Sequence, residues 1–311
     1  MGSIFTLSIV QSALELGCIY ALVALALFIS FSILNIADLS TDGCFTLGCA
    51  VCAMVTISGH PFLALFAAMA AGICSGFITA LLQTKMGIES ILAGIIVNTG
   101  LYTINIAVMG FASNVNLFKC ETIFSLAKDA IGGNFYKIIV VLIIVVIVGI
   151  LLSLFLNTRL GLSIRATGDN ADMVRASSIN PAFTITIGLC VANSLTALSG
   201  GVLAQYQKSC DINLGTGMVT IALASLIIGE SLIGKGSMFR RVLGVILGSC
   251  LYRFIVAIAL RLNVPAECLK LVSAIIVAVA IASPYLKKKF AFMRQRRIAI
   301  KNFKNGGNGA C

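Results

Sequence analysis

Residues 159–180 read RLGLSIRATGDNADMVRASSIN and lie between two long apolar runs, residues 136–156 and 181–205. The stretch carries Arg159, Arg165 and Arg175 together with Asp169 and Asp172, a charge density not met elsewhere before the C-terminal tail. Charged residues are expensive within a bilayer, so this island belongs in water between two membrane crossings. Its alanines and its Met173-Val174 step suit a short amphipathic helix, opened by Asp169 or Asn170 as a cap and stopped before Pro181. A helix on the water side of a membrane protein is a natural docking surface for another protein.

Composition sets the class. Of 311 residues, 59% are apolar and 11% are charged, and the mean hydropathy is +1.06. Such a chain is no soluble globular domain. Several apolar runs reach the roughly 20 residues that cross a hydrocarbon core. They lack the strict alternation of barrel strands, so the expected fold is an all-α integral membrane protein, a polytopic helical bundle. The net charge of +11 does not signal nucleic acid, because eight of the 22 Lys and Arg residues follow Leu286, with no acid among them. That pattern is a basic cytoplasmic tail at residues 287–311, next to anionic membrane lipid, after a transmembrane domain at residues 1–286. No Lys or Arg precedes the first apolar run, so no cleaved secretory signal is expected.

Taken in order, the first run spans residues 4–34 and holds Glu15. The next segment, NIADLSTDG at residues 35–43, places Asp38, Thr41 and Asp42 between two apolar runs, and the run after it is short. This is the pattern of a discontinuous or re-entrant element, or alternatively of an ordinary cytoplasmic turn. Residues 62–83 follow, with Gly72 and Gly76 spaced for close helix approach. The span at residues 91–109 carries Asn98, Tyr102 and Asn105 on one helical face, either lining a cavity or bonding a neighbouring helix. Asp38, Thr41, Asp42, Asn98, Tyr102 and Asn105 are therefore the candidate pathway residues. After a mixed loop at 110–135 come runs at 136–156, 181–205, 215–233, 242–260 and 266–286. The expected total is about 8–9 transmembrane helices. Positive charge puts the basic connections at Lys85, 159–180 and 234–241 on the same side as the tail.

Few residues carry chemistry of their own. Residues 229–236, GESLIGKG, look like a phosphate-binding loop, but the eighth position is Gly rather than Ser or Thr, and the segment ends an apolar helix. ATP hydrolysis is therefore not expected of this chain, and no cofactor or metal is expected to bind it. The cysteines in or beside apolar runs read as small packing residues; Cys49 and Cys52 have metal-like spacing, yet nothing completes a ligand set. Glu15, Glu230 and Arg253 need partners or an interface to reach: Arg253 pairs with one of the glutamates, or the glutamates snorkel.

The charged island also carries a resemblance. GLSIRATGDNADMVRASSIN, residues 161–180, resembles the cytoplasmic motif of permease subunits of binding-protein-dependent ABC importers, the family of branched-chain amino-acid, ribose and nucleoside permeases. It matches at Gly161, Arg165, Ala166, Gly168 and Asn170, with Ser178-Ile179 where Gly-Ile is usual. The resemblance implies that these residues, with Met173, Ala176 and Ile179, belong to a coupling loop, residues 157–180, that docks on a separate cytoplasmic ATP-binding cassette subunit. ATP and Mg would be bound by that subunit. Residues 14–48 and 91–110 look like a subgroup that works with a lipoprotein binding aromatic amino acids. The resemblance further implies an extracytoplasmic substrate-binding lipoprotein, a homodimer of permeases in a bacterial cell membrane, and a fold similar to the vitamin B12 class of importers. A sugar or nucleoside permease is the alternative within the family. An ATP-independent secondary transporter or channel, or a membrane scaffold, is the alternative outside it.

Overall fold

A computed structural model describes residues 7–133, 135–234 and 236–261, and isolated helical positions between 271 and 295. The run at 266–286 and the tail at 287–311 lie outside the continuously described residues. Helix α1 (Leu7–Leu27) passes into a π-helical turn, Phe28–Ile33, and then into non-helical chain. Helices α2 (Thr41–Ile57), α3 (Pro61–Thr84) and α4 (Ser90–Val108) follow. A strand β1 (Asn114–Asn116) and a short helix α5 (Ile123–Ile131) lead to α6 (Tyr136–Asn157). Next come α7 (Arg159–Asp169), α8 (Ala171–Ala176), α9 (Pro181–Gln207), β2 (Ser209–Asp211), α10 (Met218–Ile233) and α11 (Met238–Arg261).

Among the described residues, six helices are long and apolar enough to cross a membrane, the α1 segment with α3, α4, α6, α9 and α11; α2 and α10 are apolar but shorter. The α1 segment and α9 are the buried axis, and α4 and α6 keep most of their surface outward. Outward Leu, Ile and Val on α6 need no protein partner, since lipid tails solvate them. Small residues set the tightest packing: Gly72 and Gly76 of α3 meet the carbonyls of Asn193 and Leu189 on α9 at distances no Cβ could share. Thiols contribute in the same way, with Cys44, Cys49 and Cys52 of α2 donating to the carbonyls of Asn193, Gly200 and Gly201. These cysteines pack and bond along α9, and among the described residues no His, Cys, Asp or Glu cluster could hold a metal ion.

The mixed loop expected at 110–135 contains ordered structure. β1 pairs antiparallel with β2, with Val115 opposite Cys210. α5 begins in a capping box, Thr122 Oγ1 accepting from Ser125 N and Ser125 Oγ from Thr122 N. Three-residue strands and a nine-residue helix give too short a pattern to be read from periodicity.

Candidate functional site

The chain leaves α1 through a turn that redirects it into the bundle. The π turn closes with Leu34 N bonded to Ile29 O at 2.9 Å, and Asn35 then takes φ 57°, a left-handed conformation that asparagine tolerates better than most residues. Residues 34–40 run non-helically through the protein, with Asp38 and Ser40 buried. Asp38 Oδ1 accepts from Ser40 N at 2.8 Å and Ser40 Oγ at 2.6 Å, while Oδ2 accepts from Asn193 Nδ2 at 3.1 Å. Asn193 stands about 18 Å along α9 from Pro181, near its middle. The segment is thus no surface turn. It carries the chain halfway up the bundle before α2 begins, which is the discontinuous reading of residues 35–43.

α10 starts at the same level. Asp42 Oδ2 accepts from Gly217 N and Oδ1 from Val219 N, each at 2.9 Å. α2 runs from there to Thr56, bonded to Gln205 near the far end of α9. α10 runs the other way, to Glu230, whose carboxylate accepts from Ser32 Oγ at 2.6 Å beside the end of α1. The N-termini of these two shorter helices therefore meet at Asp42, and the helices point apart.

A cavity of about 450 Å³ opens at this meeting point, between α2, α4 and the turn into α10. Asp42, Thr46, Asn98, Tyr102, Asn105 and Asn213 line it. The helical face read from Asn98, Tyr102 and Asn105 is thereby placed on one wall. Asn105 is buried and donates Nδ2 to Gly43 O at 3.1 Å, while Tyr102 is 53% exposed. Asp38 and Thr41 are not on the wall. Thr41 Oγ1 donates to Asp38 O at 3.1 Å, so both stand behind it as supports. Asn193 and Thr46 are the positions sequence reading passed over; a lone amide or hydroxyl in an apolar run has no local signal of its partner.

The loop between α6 and α9 is the second part of the site. It forms two helices, not one. Thr158 Oγ1 accepts from Gly161 N to cap α7. Asn170 Oδ1 accepts from Asp172 N and Met173 N, each at 3.0 Å, so Asn170 rather than Asp169 caps α8. Gly161 packs on the backbone of Phe155 and Leu156, and Gly168 on the carbonyl of Ile33. Thr167 and Thr184 share a hydroxyl contact of 2.7 Å between α7 and α9. Arg165 and Ala166 are half-buried on α7. Val174 anchors α8 inward, whereas Met173 is 64% exposed and Ala176 and Ile179 also face outward.

Matches to known proteins span both parts. Residues 9–281 match the family model described as the branched-chain amino acid transport system / permease component. The chain is 34% identical over 273 residues to the tyrosine transport system permease protein of Clostridioides difficile (strain R20291), covering 88% of this chain and 90% of that one. It is 31% identical over 281 residues to an uncharacterized protein of Rickettsia prowazekii (strain Madrid E), covering 89% and 98%. The chain belongs to this permease family. No solved structure matches it.

As a multi-pass membrane permease, the chain places its remaining charges differently from the pairing expected of Arg253. Glu230 pairs instead with Arg241, whose Nη2 lies 2.8 Å from Oε1, and the same nitrogen donates to Ser32 Oγ at 2.8 Å. Glu15 is buried and accepts from Tyr206 Oη at 2.7 Å and Gln11 Nε2 at 2.9 Å. Arg253 lies over the ring of Tyr20, 3.7 Å from its centroid. Aromatic faces attract guanidinium, so sequence counting of acids alone misses such a partner. The phosphate-loop lookalike is helical at its start: Gly229 lies inside α10 and packs on Gly244 of α11, and Lys235 lies outside the described residues.

Within the permease, the departure Ser178 also has a physical meaning. Ile179 N bonds to Val174 O and Ser178 N to Arg175 O, each at 3.2 Å, the paired bonds of a left-handed helix stop. Ser178 has φ 61°, the conformation in which glycine is unstrained.

Proposed function

We propose that this permease forms the solute pathway of an ABC importer for an aromatic amino acid, driven through α7 and α8 by a separate ATPase subunit. The observation that carries the reading is the packing of Gly168 against Ile33, which joins the outward-facing loop to the interrupted segment leading to the polar cavity. A displacement of α8 reaches that segment through its cap, Asn170, and the end of α7 that carries Gly168. ATP and Mg belong to the ATPase subunit, and an extracytoplasmic lipoprotein delivers the solute. Two copies of the permease enclose the pathway, with the outward face of α4 and its cavity wall turned to the partner. Alternating access then needs two packings of similar free energy, biased by nucleotide on one side and loaded lipoprotein on the other.

Met173 and Ile179 offer apolar contacts to the ATPase groove, and Arg165 on the preceding helix α7 adds a positive charge to the loop. Counting α2 and α10 as interrupted crossings, and the run at 266–286 from its sequence, gives nine crossings. The start of α1 is then outside and the basic connections inside, as positive charge requires. We infer the vitamin B12-type fold from the motif resemblance, and a superposition on such a permease checks it. The tyrosine relative supports an aromatic solute, and the cavity suits a polar one, its wall carrying the amides of Asn98, Asn105 and Asn213 and the hydroxyls of Thr46, Thr99, Tyr102, Thr103 and Thr216.

Reconstitution of permease, ATPase subunit and lipoprotein in proteoliposomes tests the reading. ATP-dependent uptake of tyrosine or tryptophan is the expected result. Arg165→Glu should abolish stimulation of ATPase by loaded lipoprotein while the permease stays inserted. Undiminished stimulation removes the coupling assignment, and uptake of ribose or a nucleoside alone replaces the solute class.

A further inference from the structure

We infer that Asp42 is a latch: its carboxylate ties the N-terminus of α10 to the first turn of α2 and holds the two interrupted helices closed beside the cavity. This rests on the reading of the chain as a solute permease and assigns the group that must release for the cavity to open further.

Both carboxylate oxygens are spent on backbone. Oδ2 takes Gly217 N and Oδ1 takes Val219 N, each at 2.9 Å, and the neighbouring Thr46 Oγ1 takes Gly215 N at 3.1 Å. Gly217 turns the chain into α10 with φ 86°. Gly215, having no side chain, rests on the carbonyl of Asp42 itself. Asp42 also lines the cavity, but each of its oxygens already holds one backbone N–H of the partner helix, so it binds protein to protein whether or not solute is present.

The charge is required by geometry. α2 and α10 point away from each other, so their positive N-terminal ends, about half an elementary charge each, converge inside the bundle beside the cavity. Without an anion between them they repel. Asp42 supplies it from within one of the two helices.

The packing on either side makes this bond a seam. α2 packs mainly on α9, α3 and α4, whereas α10 packs mainly on α11 and α1. Glu230 of α10 is bonded to Ser32 and Arg241 at the other end of that helix, which fixes α10 to its own side. The cavity takes Asp42, Gly43 and Thr46 from one side and Ile212, Asn213, Gly215 and Thr216 from the other. Parting the walls therefore means parting Asp42 from Gly217 and Val219.

Asp42→Asn tests the latch, because asparagine keeps the size, loses the charge and offers only one acceptor oxygen. In the assembled importer without ATP, the variant is expected to leak labelled tyrosine about tenfold faster than the wild type, the factor for about 1.4 kcal/mol. In the permease alone, amide exchange of a peptide covering residues 215–220 should accelerate, with α3 peptides unchanged. Asp42→Glu should partly restore both. Thr46→Val, which removes only the bond to Gly215, should shift both in the same direction by less, and it serves if Asp42→Asn does not insert. Tight vesicles with a raised half-saturation for ATP-driven uptake would make Asp42 a solute contact and overturn the latch. Unchanged leak and exchange would overturn it as well. The exchange measurement needs no transport, so a failure of the importer reading in the wild type is distinguishable from failure of the latch.

Discussion

Gly168 of α7 faces the carbonyl of Ile33, the last residue of the π turn, so closely that a Cβ could not be accommodated, and the next backbone atoms are those of Leu34. This contact is where the loop outside the bundle touches the chain that climbs into it. From Ile33 the chain passes in five residues to Asp38, which Asn193 holds halfway along α9. The connection from this loop to the middle of the bundle is therefore a short path of backbone and two side chains.

Gly168→Ala is expected to destabilise the permease by about 1–3 kcal/mol, because carbonyl backbone cannot move aside as a side chain can. Unfolding at a fixed heating rate in detergent measures it. Gly100→Ala is the control, since nothing lies within 4 Å of its position on α4. There the change should be neutral or slightly stabilising, as alanine is the better helix former.

Ser178→Gly should stabilise the end of α8 by roughly 1 kcal/mol by relieving a left-handed conformation at a non-glycine residue. Slower proteolysis within residues 170–180 would show it. Ser178→Val, β-branched at the same φ, should have the opposite effect.

Asn193→Ala removes the amide that donates to Asp38 and leaves a buried carboxylate with one partner fewer. A loss of about 1–3 kcal/mol is expected. Asn193→Asp should be worse, since it sets a second carboxylate against the first within apolar surroundings. Expression of inserted protein and unfolding midpoint would rank the two variants.

Glu230 and Arg241, at 24% and 15% side-chain exposure, should be energetically coupled. In a double-mutant cycle of Glu230→Gln and Arg241→Met, a coupling energy of about 0.5–3 kcal/mol is expected. Additive effects would mean that Ser32 and the ring of Phe28, 4.8 Å from the guanidinium, hold Arg241 without its acid.

Much of this architecture was legible in the sequence, and the reasons are local. Apolar runs of membrane length mark α1, α3, α4, α6, α9 and α11 because hydrocarbon selects on length and composition alone. The polar spacing of Asn98, Tyr102 and Asn105 gave one face of α4, and that face lines the cavity. The start of α8 was narrowed to Asp169 or Asn170 because capping is chemistry between residues two or three apart, whereas its end, at Ala176 with Ser178 left-handed, comes earlier than Pro181 suggested. The pairing of Glu230 was not legible: sequence reading looked to Arg253, and only packing of α10 on α11 brings Arg241 to it instead.

Taken alone, the sequence determined a polytopic helical membrane protein with a charged loop between two of its spans, since bilayer thickness, capping and charge asymmetry act on short windows of chain. Only the tertiary structure decided what Asp38 and Asp42 do. Their partners Asn193 and Val219 are 155 and 177 residues away, and a buried carboxylate takes whatever donors the packing delivers to it. Two residues that look alike in one polar segment thus became a support behind the cavity and a bond across it.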